Sequence, residues 1–160
     1  MIEIYEYKND YKDEITQMIL KIQQEEYNLP ITANDQPDLA NIETFYQQNN
    51  GNFWADINKQ VVIGTIAIRN IDNKNAMLRK MFVKQEYRGK DVGVSNNLLL
   101  KLLDWAKQKN LTRIFLGTTP QFLAAHRFYE KNGFKEIDKK ELPANFLIMD
   151  VDKKFYCYSL

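Results

Sequence analysis

Hydrophobic and polar positions change period several times along the chain. Ile2 and Ile4 stand two apart, as in a strand, whereas from about Asp10 to Tyr27 the residues Ile15, Met18, Ile19 and Ile22 fall on one helical face. Leu29-Pro30 stops that helix. Pro37-Asp38 opens another, with Leu39, Ile42, Phe45 and Tyr46 on one side before the turn Asn49-Asn50-Gly51. Strand-like segments follow at 52–56, 61–69 and 76–83, joined by Asn58-Lys59 and by Asp72-Asn73-Lys74-Asn75, connections short enough to require antiparallel pairing. After Gly93 the pattern becomes helical again. Val94, Leu98, Leu99, Leu102, Leu103, Trp105 and Ala106 make a wide apolar stripe opposite Asn97, Lys101, Asp104 and Gln108. A short strand at 113–117 comes next, then a helix over 121–131 anchored by Phe122, Ala125, Phe128 and Tyr129, with a stop at Asn132-Gly133. A strand starts at Phe134, and a last one spans 154–160 after an irregular loop around Pro143.

This order predicts one mixed α/β domain over residues 1–160, its helices packed on a largely antiparallel sheet. The length agrees: 160 residues, 44% of them hydrophobic, bury one substantial core. A formal net charge of +1 supplies no overall field toward nucleic acid or an anionic membrane. No segment approaches the roughly 20 consecutive apolar residues that span a bilayer. The single cysteine, Cys157, allows no intramolecular disulfide, and the first residues lack the pattern of a signal peptide, so a cytoplasmic protein is expected.

The stretch Met81-Phe82-Val83 through Arg88-Gly89-Lys90-Asp91-Val92-Gly93-Val94 reads as a strand, a basic glycine-containing loop and a helix N-terminus. Backbone N–H groups of such a loop converge on one concavity, the helix start adds about half a positive charge, and Arg88 and Lys90 add full ones. A pyrophosphate suits that place; an ordinary strand-to-helix turn with solvated cations fits the local pattern equally well. No Gly-Lys-Ser/Thr follows, which excludes a P-loop, and the three-glycine dinucleotide spacing is absent.

Arg88 through Gly93, taken with Ala125-His126-Arg127-Phe128-Tyr129-Glu130-Lys131-Asn132-Gly133-Phe134, resembles the coenzyme-A loop and the following helix of the GCN5-related N-acetyltransferase (GNAT) family. The resemblance covers nearly the whole chain, strongly from about Gly51 to Phe134. It implies the GNAT acyl-CoA N-acyltransferase fold, with acetyl-CoA as cosubstrate and an amine as acceptor. It also implies that main-chain amides of Arg88, Gly89, Lys90, Asp91, Val92, Gly93 and Val94 hold the pyrophosphate. Main-chain groups of Met81, Phe82 and Val83, on a strand splayed from the next, would contact pantetheine and the acetyl carbonyl. Tyr129 would protonate the departing thiolate. The chain departs from the family at three places. Asp91 stands where glycine is usual, Phe122 where asparagine is frequent, and Ala76-Met77-Leu78 where related sequences often carry a carboxylate, so the general base is unassigned.

Other residues carry less. His126, the single histidine, follows Ala125 on a helix whose inward face is set by Ala125 and Tyr129, and is placed outside the site. It has no partners at metal-ligand spacing, so no metal is expected. Cys157 reads as a buried thiol, Ser95 as a helix-start residue, and Glu25 and Glu26 as a solvated pair near the acceptor side. The aromatic last strand offers an edge for a homodimer. Two rivals to the enzyme reading stand. One is a non-catalytic acyl-CoA-binding or regulatory domain of the same fold. The other is a nucleic-acid binder using Arg79, Lys80, Lys84, Arg88 and Lys90.

Overall fold

The computed structural model describes residues 2–89 and 92–160, so the expectations placed on Lys90 and Asp91 lie outside the described residues. The described strands are β1 (Ile2–Glu6), β2 (Asn52–Asn58), β3 (Val61–Asn70), β4 (Asn75–Val83), β5 (Arg113–Thr118), β6 (Lys135–Ile137) and β7 (Lys154–Ser159). They form one sheet in the order β1-β2-β3-β4-β5-β7-β6. Every neighbouring pair is antiparallel except β4 and β5, which run parallel. The helices are α1 (Lys12–Leu20), α2 (Ile42–Tyr46), α3 (Val94–Gln108) and α4 (Leu123–Lys131).

Two apolar clusters sandwich the sheet. Trp54, Ile66, Ile68, Leu78, Ile114 and Leu116 pack with Leu98, Leu99 and Leu102 of α3 and Tyr129 of α4. Phe53, Ala55, Ile57 and Ala67 pack with Ile15 and Ile19 of α1 and Ile42 and Tyr46 of α2. Successive strand residues point to opposite faces, so Phe53 and Trp54 serve different clusters, and β2 and β3 are buried on both. Each such large apolar side chain contributes about 1.5–3 kcal/mol when fully buried.

Three expected helices are built differently. The first begins with a 3₁₀ turn at Asn9–Tyr11 and continues past Leu20 as a π-helical turn, Lys21–Glu26. That wider turn is closed by the Tyr27 N–H on the Ile22 carbonyl at 3.2 Å and the Leu29 N–H on the Gln23 carbonyl at 2.9 Å. The second is split into a 3₁₀ segment, Pro37–Ala40, and α2, because Asn41 between them is not helical (φ −136°, ψ 45°). α4 starts at Leu123 because Phe122 closes a turn onto Thr119 and is itself non-helical.

One irregularity shapes the centre of the molecule. Thr65 pairs with Phe82 and Ala67 with Arg79, so Lys80 and Met81 share a single partner position on β3: a β-bulge. Lys80 takes the left-handed conformation (φ 52°), and the buried Thr65 hydroxyl donates to its carbonyl at 2.7 Å. β4 pairs with β5 only through Asn75, Ala76 and Met77; beyond Met77 the two strands part. The remaining edge of β4 faces the space that α3 and α4 frame.

Candidate active site

That space is a cleft of about 320 Å³, walled by Met81, Phe82 and Val83 of β4, by Gly89 and Gly93 of the loop, and by α4. Gly89 and Gly93 adopt φ of +117° and +73°, which a residue with a Cβ rarely takes, and each leaves its surroundings open. A Cβ at Gly89 would meet nothing within 4 Å, and one at Gly93 would meet Asn97 Nδ2 at 3.8 Å. Gly93 is the N-cap of α3, and no side chain caps that helix. Its first backbone donors and its positive end are therefore available to an anion. Val94 lies in the core and Val92 is exposed, so these two can contribute only main chain to such a site.

Arg88 lines the cleft without being a loose cation. Its Nε donates to the Val83 carbonyl at 2.8 Å, and its guanidinium forms a two-pronged pair with Glu26, one contact at 2.9 Å. Glu26 therefore faces the loop and its arginine. Further wall residues that the sequence motifs did not identify are Ser95 and Asn96 on α3, Arg127 and Lys131 on α4, and Asn132 just after it. Arg127 and Lys131 stand four apart, a spacing that marks one helical face in the sequence.

Tyr129 is 6% exposed, and burial, seconded by the Asp152 charge, pushes its hydroxyl well above the usual tyrosine range. It therefore stays protonated at neutral pH, the form a proton donor needs. Phe134 and Tyr156 hold the ring at 5.5 and 6.0 Å. Phe122, in the position where the family often has asparagine, supplies an apolar wall instead, edge-on to Tyr27 at 4.6 Å and to Phe82 at 6.3 Å. His126 is buried, contrary to a helix face set by Ala125 and Tyr129 alone. Its Nε2 lies 3.0 Å from the Thr119 carbonyl, and the ring does not line the cleft. Cys157, on β7, is half-buried, and burial raises its thiol.

Behind Phe82 lies a second cavity of about 90 Å³, and Met81, Phe82, Phe122, Ala125 and Tyr129 form walls of both. It is polar at its far end, where Arg79, Lys80, Gln23 and Asp152 converge. Asp38, behind them, accepts from Tyr46 Oη at 2.6 Å and pairs with Lys80 Nζ at 3.5 Å and Arg79 at 3.9 Å. Gln36 accepts from Lys80 Nζ at 2.5 Å and exchanges amide hydrogen bonds with Gln23. Burial pulls the Lys80 ammonium down to about 8 against the opposing pull of Asp38. Lys80 is thus buried, Arg79 is half-buried with a side chain 12% exposed, and Arg88 is tied to Glu26. No single motif pointed to this cavity, since its residues come from five separate parts of the chain.

Among the described residues no group of three or more His, Cys, Asp or Glu side chains is arranged to hold a metal ion. Nor is any described helix long and apolar enough to cross a membrane.

Comparison with known proteins agrees with this geometry. An acetyltransferase of the GNAT family from Staphylococcus aureus Mu50 has a solved structure that superposes with a TM-score of 0.96 at 42% identity, covering 99% of each chain. A PaiA N-acetyltransferase from Thermoplasma acidophilum, solved in complex with coenzyme A, shares the fold at a TM-score of 0.76 and 19% identity over 100% of this chain and 99% of that one. Among curated proteins, N-acetylaspartate synthetase of Xenopus tropicalis is 37% identical over 102 residues, which are 62% of this chain and 37% of the relative. The chain thus spans little more than a third of the length of that relative. The sequence profile of the Acetyltransferase (GNAT) family matches residues 16–134, and with the splayed strands and the glycine loop already in place the chain belongs to the GNAT acetyltransferase family.

Proposed function

We propose that this chain transfers an acetyl group from acetyl-CoA to a primary amine by direct attack. The observation that carries the reading is the shared wall: a cleft with an anion-binding end and a small polar cavity meet at Met81, Phe82 and Tyr129. A thioester lying along the open edge of β4 would bring its carbonyl to that wall. The cleft fits the coenzyme, since the uncapped α3 N-terminus and the open glycines suit a pyrophosphate and the apolar faces of Phe82, Phe122 and Phe128 suit pantetheine. Strand amides near Phe82, beyond the last pair of β4 with β5, stabilise negative charge on the acetyl oxygen. Tyr129 returns a proton to sulfur.

An acceptor that carries a carboxylate as well as an amine suits the second cavity, where Arg79 and Lys80 would face the carboxylate. The N-acetylaspartate synthetase relative points to the same kind of acceptor. A single-domain, cytoplasmic protein without affinity for nucleic acid completes the proposal, with a homodimer as its proposed assembly; the last strand, β7, lies between β5 and β6 and is therefore not the free edge expected for that contact. The non-catalytic acyl-CoA-binding reading makes a different prediction about turnover.

Calorimetry with acetyl-CoA, on wild type and Gly93→Trp, tests the cleft, and thiol release over a panel of amines including aspartate tests turnover. Micromolar binding that the substitution abolishes, with thiol released by at least one amine, supports the enzyme. Binding with no release by any amine supports the non-catalytic domain, and no binding by folded wild type removes both.

A further inference from the structure

An amine acceptor is mostly protonated at neutral pH and must lose a proton before it attacks. Among the described residues the coenzyme cleft has no carboxylate in its wall. The cavity behind Phe82 has one, and it comes from the far end of the chain. Asp152 lies in the strap of residues 138–153 that joins β6 to β7, and its side chain covers β5 where Gly117 has no side chain of its own. A Cβ built on Gly117 would stand 3.0 Å from Asp152 Oδ2 and 3.2 Å from Asp152 Cβ. The glycine thus makes room for the carboxylate in a cavity that Phe82 and Tyr129 also line. Asp38, the other carboxylate nearby, is taken up by Tyr46 and Lys80 and does not line the cavity.

We propose that Asp152 is the proton acceptor of the acetyl transfer, taking a proton from the acceptor's ammonium in the cavity beside Phe82. The inference rests on the acetyltransferase reading above. The atoms balance as follows. The ammonium gives one proton to Asp152, which later releases it to solvent. The neutral nitrogen then forms the C–N bond, and as the C–S bond breaks the second nitrogen proton is lost while Tyr129 protonates the sulfur and is itself reprotonated from that nitrogen. The net products are an amide, a thiol and one proton.

The surroundings suit a base. Burial raises the carboxyl, and Arg79, a Met149 backbone hydrogen bond, Lys80 and Lys153 oppose that rise without cancelling it. Tyr129 faces it from α4. On its outer side it borders a polar hollow with Glu136 of β6, Asp138 and Lys139 of the following turn, Asp150 of the strap and Lys154 of β7, a path by which the proton can leave. A carboxyl raised toward neutrality is a stronger base than an exposed one.

The test is the pH dependence of kcat for an amine that the wild type acetylates, measured between about pH 5 and 9 for wild type, Asp152→Asn and Asp152→Glu. Asp152→Asn is expected to lower kcat about 100-fold or more near neutrality and to abolish the acid limb, with acetyl-CoA affinity and Tm within error of wild type. Asp152→Glu is expected to restore part of the rate with a displaced acid limb. If Asp152→Asn fails to fold, Gly117→Ala, which crowds the carboxylate, is expected to shift the same limb. An active wild type whose acid limb survives in Asp152→Asn, or in Gly117→Ala where that variant stands in, overturns the role of Asp152 alone. A wild type that binds acetyl-CoA and acetylates no amine overturns the acetyltransferase reading and this one with it.

Discussion

The hydroxyl of Thr65 donates to the main-chain carbonyl of Lys80 at 2.7 Å across the β3–β4 ladder. Both residues are buried, and the bond sits at the bulge where Lys80 turns left-handed. A lysine in that conformation costs roughly 1–2 kcal/mol. The Thr65 bond and the anchoring of Lys80 Nζ by Gln36 and Asp38 offset it. The turn so held lies just beyond Met77, where β4 and β5 stop pairing, and its Met81 lines both cavities.

Thr65→Val keeps the shape and removes the donor, leaving a buried carbonyl unsatisfied. A loss of about 1–3 kcal/mol is expected, read by denaturant unfolding. If the bond also holds the splay, acetyl-CoA affinity falls with it; unchanged stability and affinity would show that the bulge is held by other contacts.

Glu26→Gln releases the Arg88 guanidinium and removes a negative charge beside the glycine end of the cleft, the proposed phosphate site. Both changes favour phosphate, so acetyl-CoA is expected to bind about three-fold more tightly at low salt, a gain of the size an exposed ion pair contributes. The gain should shrink as salt is raised. Weaker binding would mean that the pair orients Arg88 toward the coenzyme.

Tyr129→Phe removes a hydroxyl that makes no hydrogen bond among the described residues, so stability should change by less than about 1 kcal/mol. Removal of a general acid is expected to lower kcat by about 100-fold or more with little change in acetyl-CoA affinity. An unchanged kcat would leave the ring as a core aromatic only.

Asp56 on β2 is 1% exposed, and neither carboxylate oxygen has a hydrogen-bond partner among the described residues. Burial pushes its carboxyl up to about 6. The folded state therefore holds this proton more tightly than the unfolded chain, whose aspartates titrate near about 3.9. The stability conferred is fully present below about pH 4 and is lost as pH rises through about 6. Asp56→Asn should flatten that dependence and raise Tm near neutrality by a few degrees, at roughly 2–4 °C per kcal/mol. A variant with wild-type Tm at pH 7 would show that the carboxylate reaches solvent.

By itself the sequence determined the element order, because burial on one face imposes a period of two on strands and about 3.6 on helices, and it marked the glycine loop before α3, because glycines and a helix start are local features. The match from Arg88 to Gly93 and the Phe128-Tyr129 pair was legible for the same reason. The bulge was not, since a left-handed Lys80 has no local signal and is held by Thr65 and Gln36 from elsewhere in the chain. Only the tertiary structure showed that Lys80 is buried and Arg79 half-buried among acidic and amide partners, whereas their sequence neighbourhood reads as an exposed basic patch. It alone joined Glu26 to Arg88 across 62 positions and brought Asp152 over Gly117. A charge's role depends on its distance to other charges and to water, and those distances are fixed when the sheet closes.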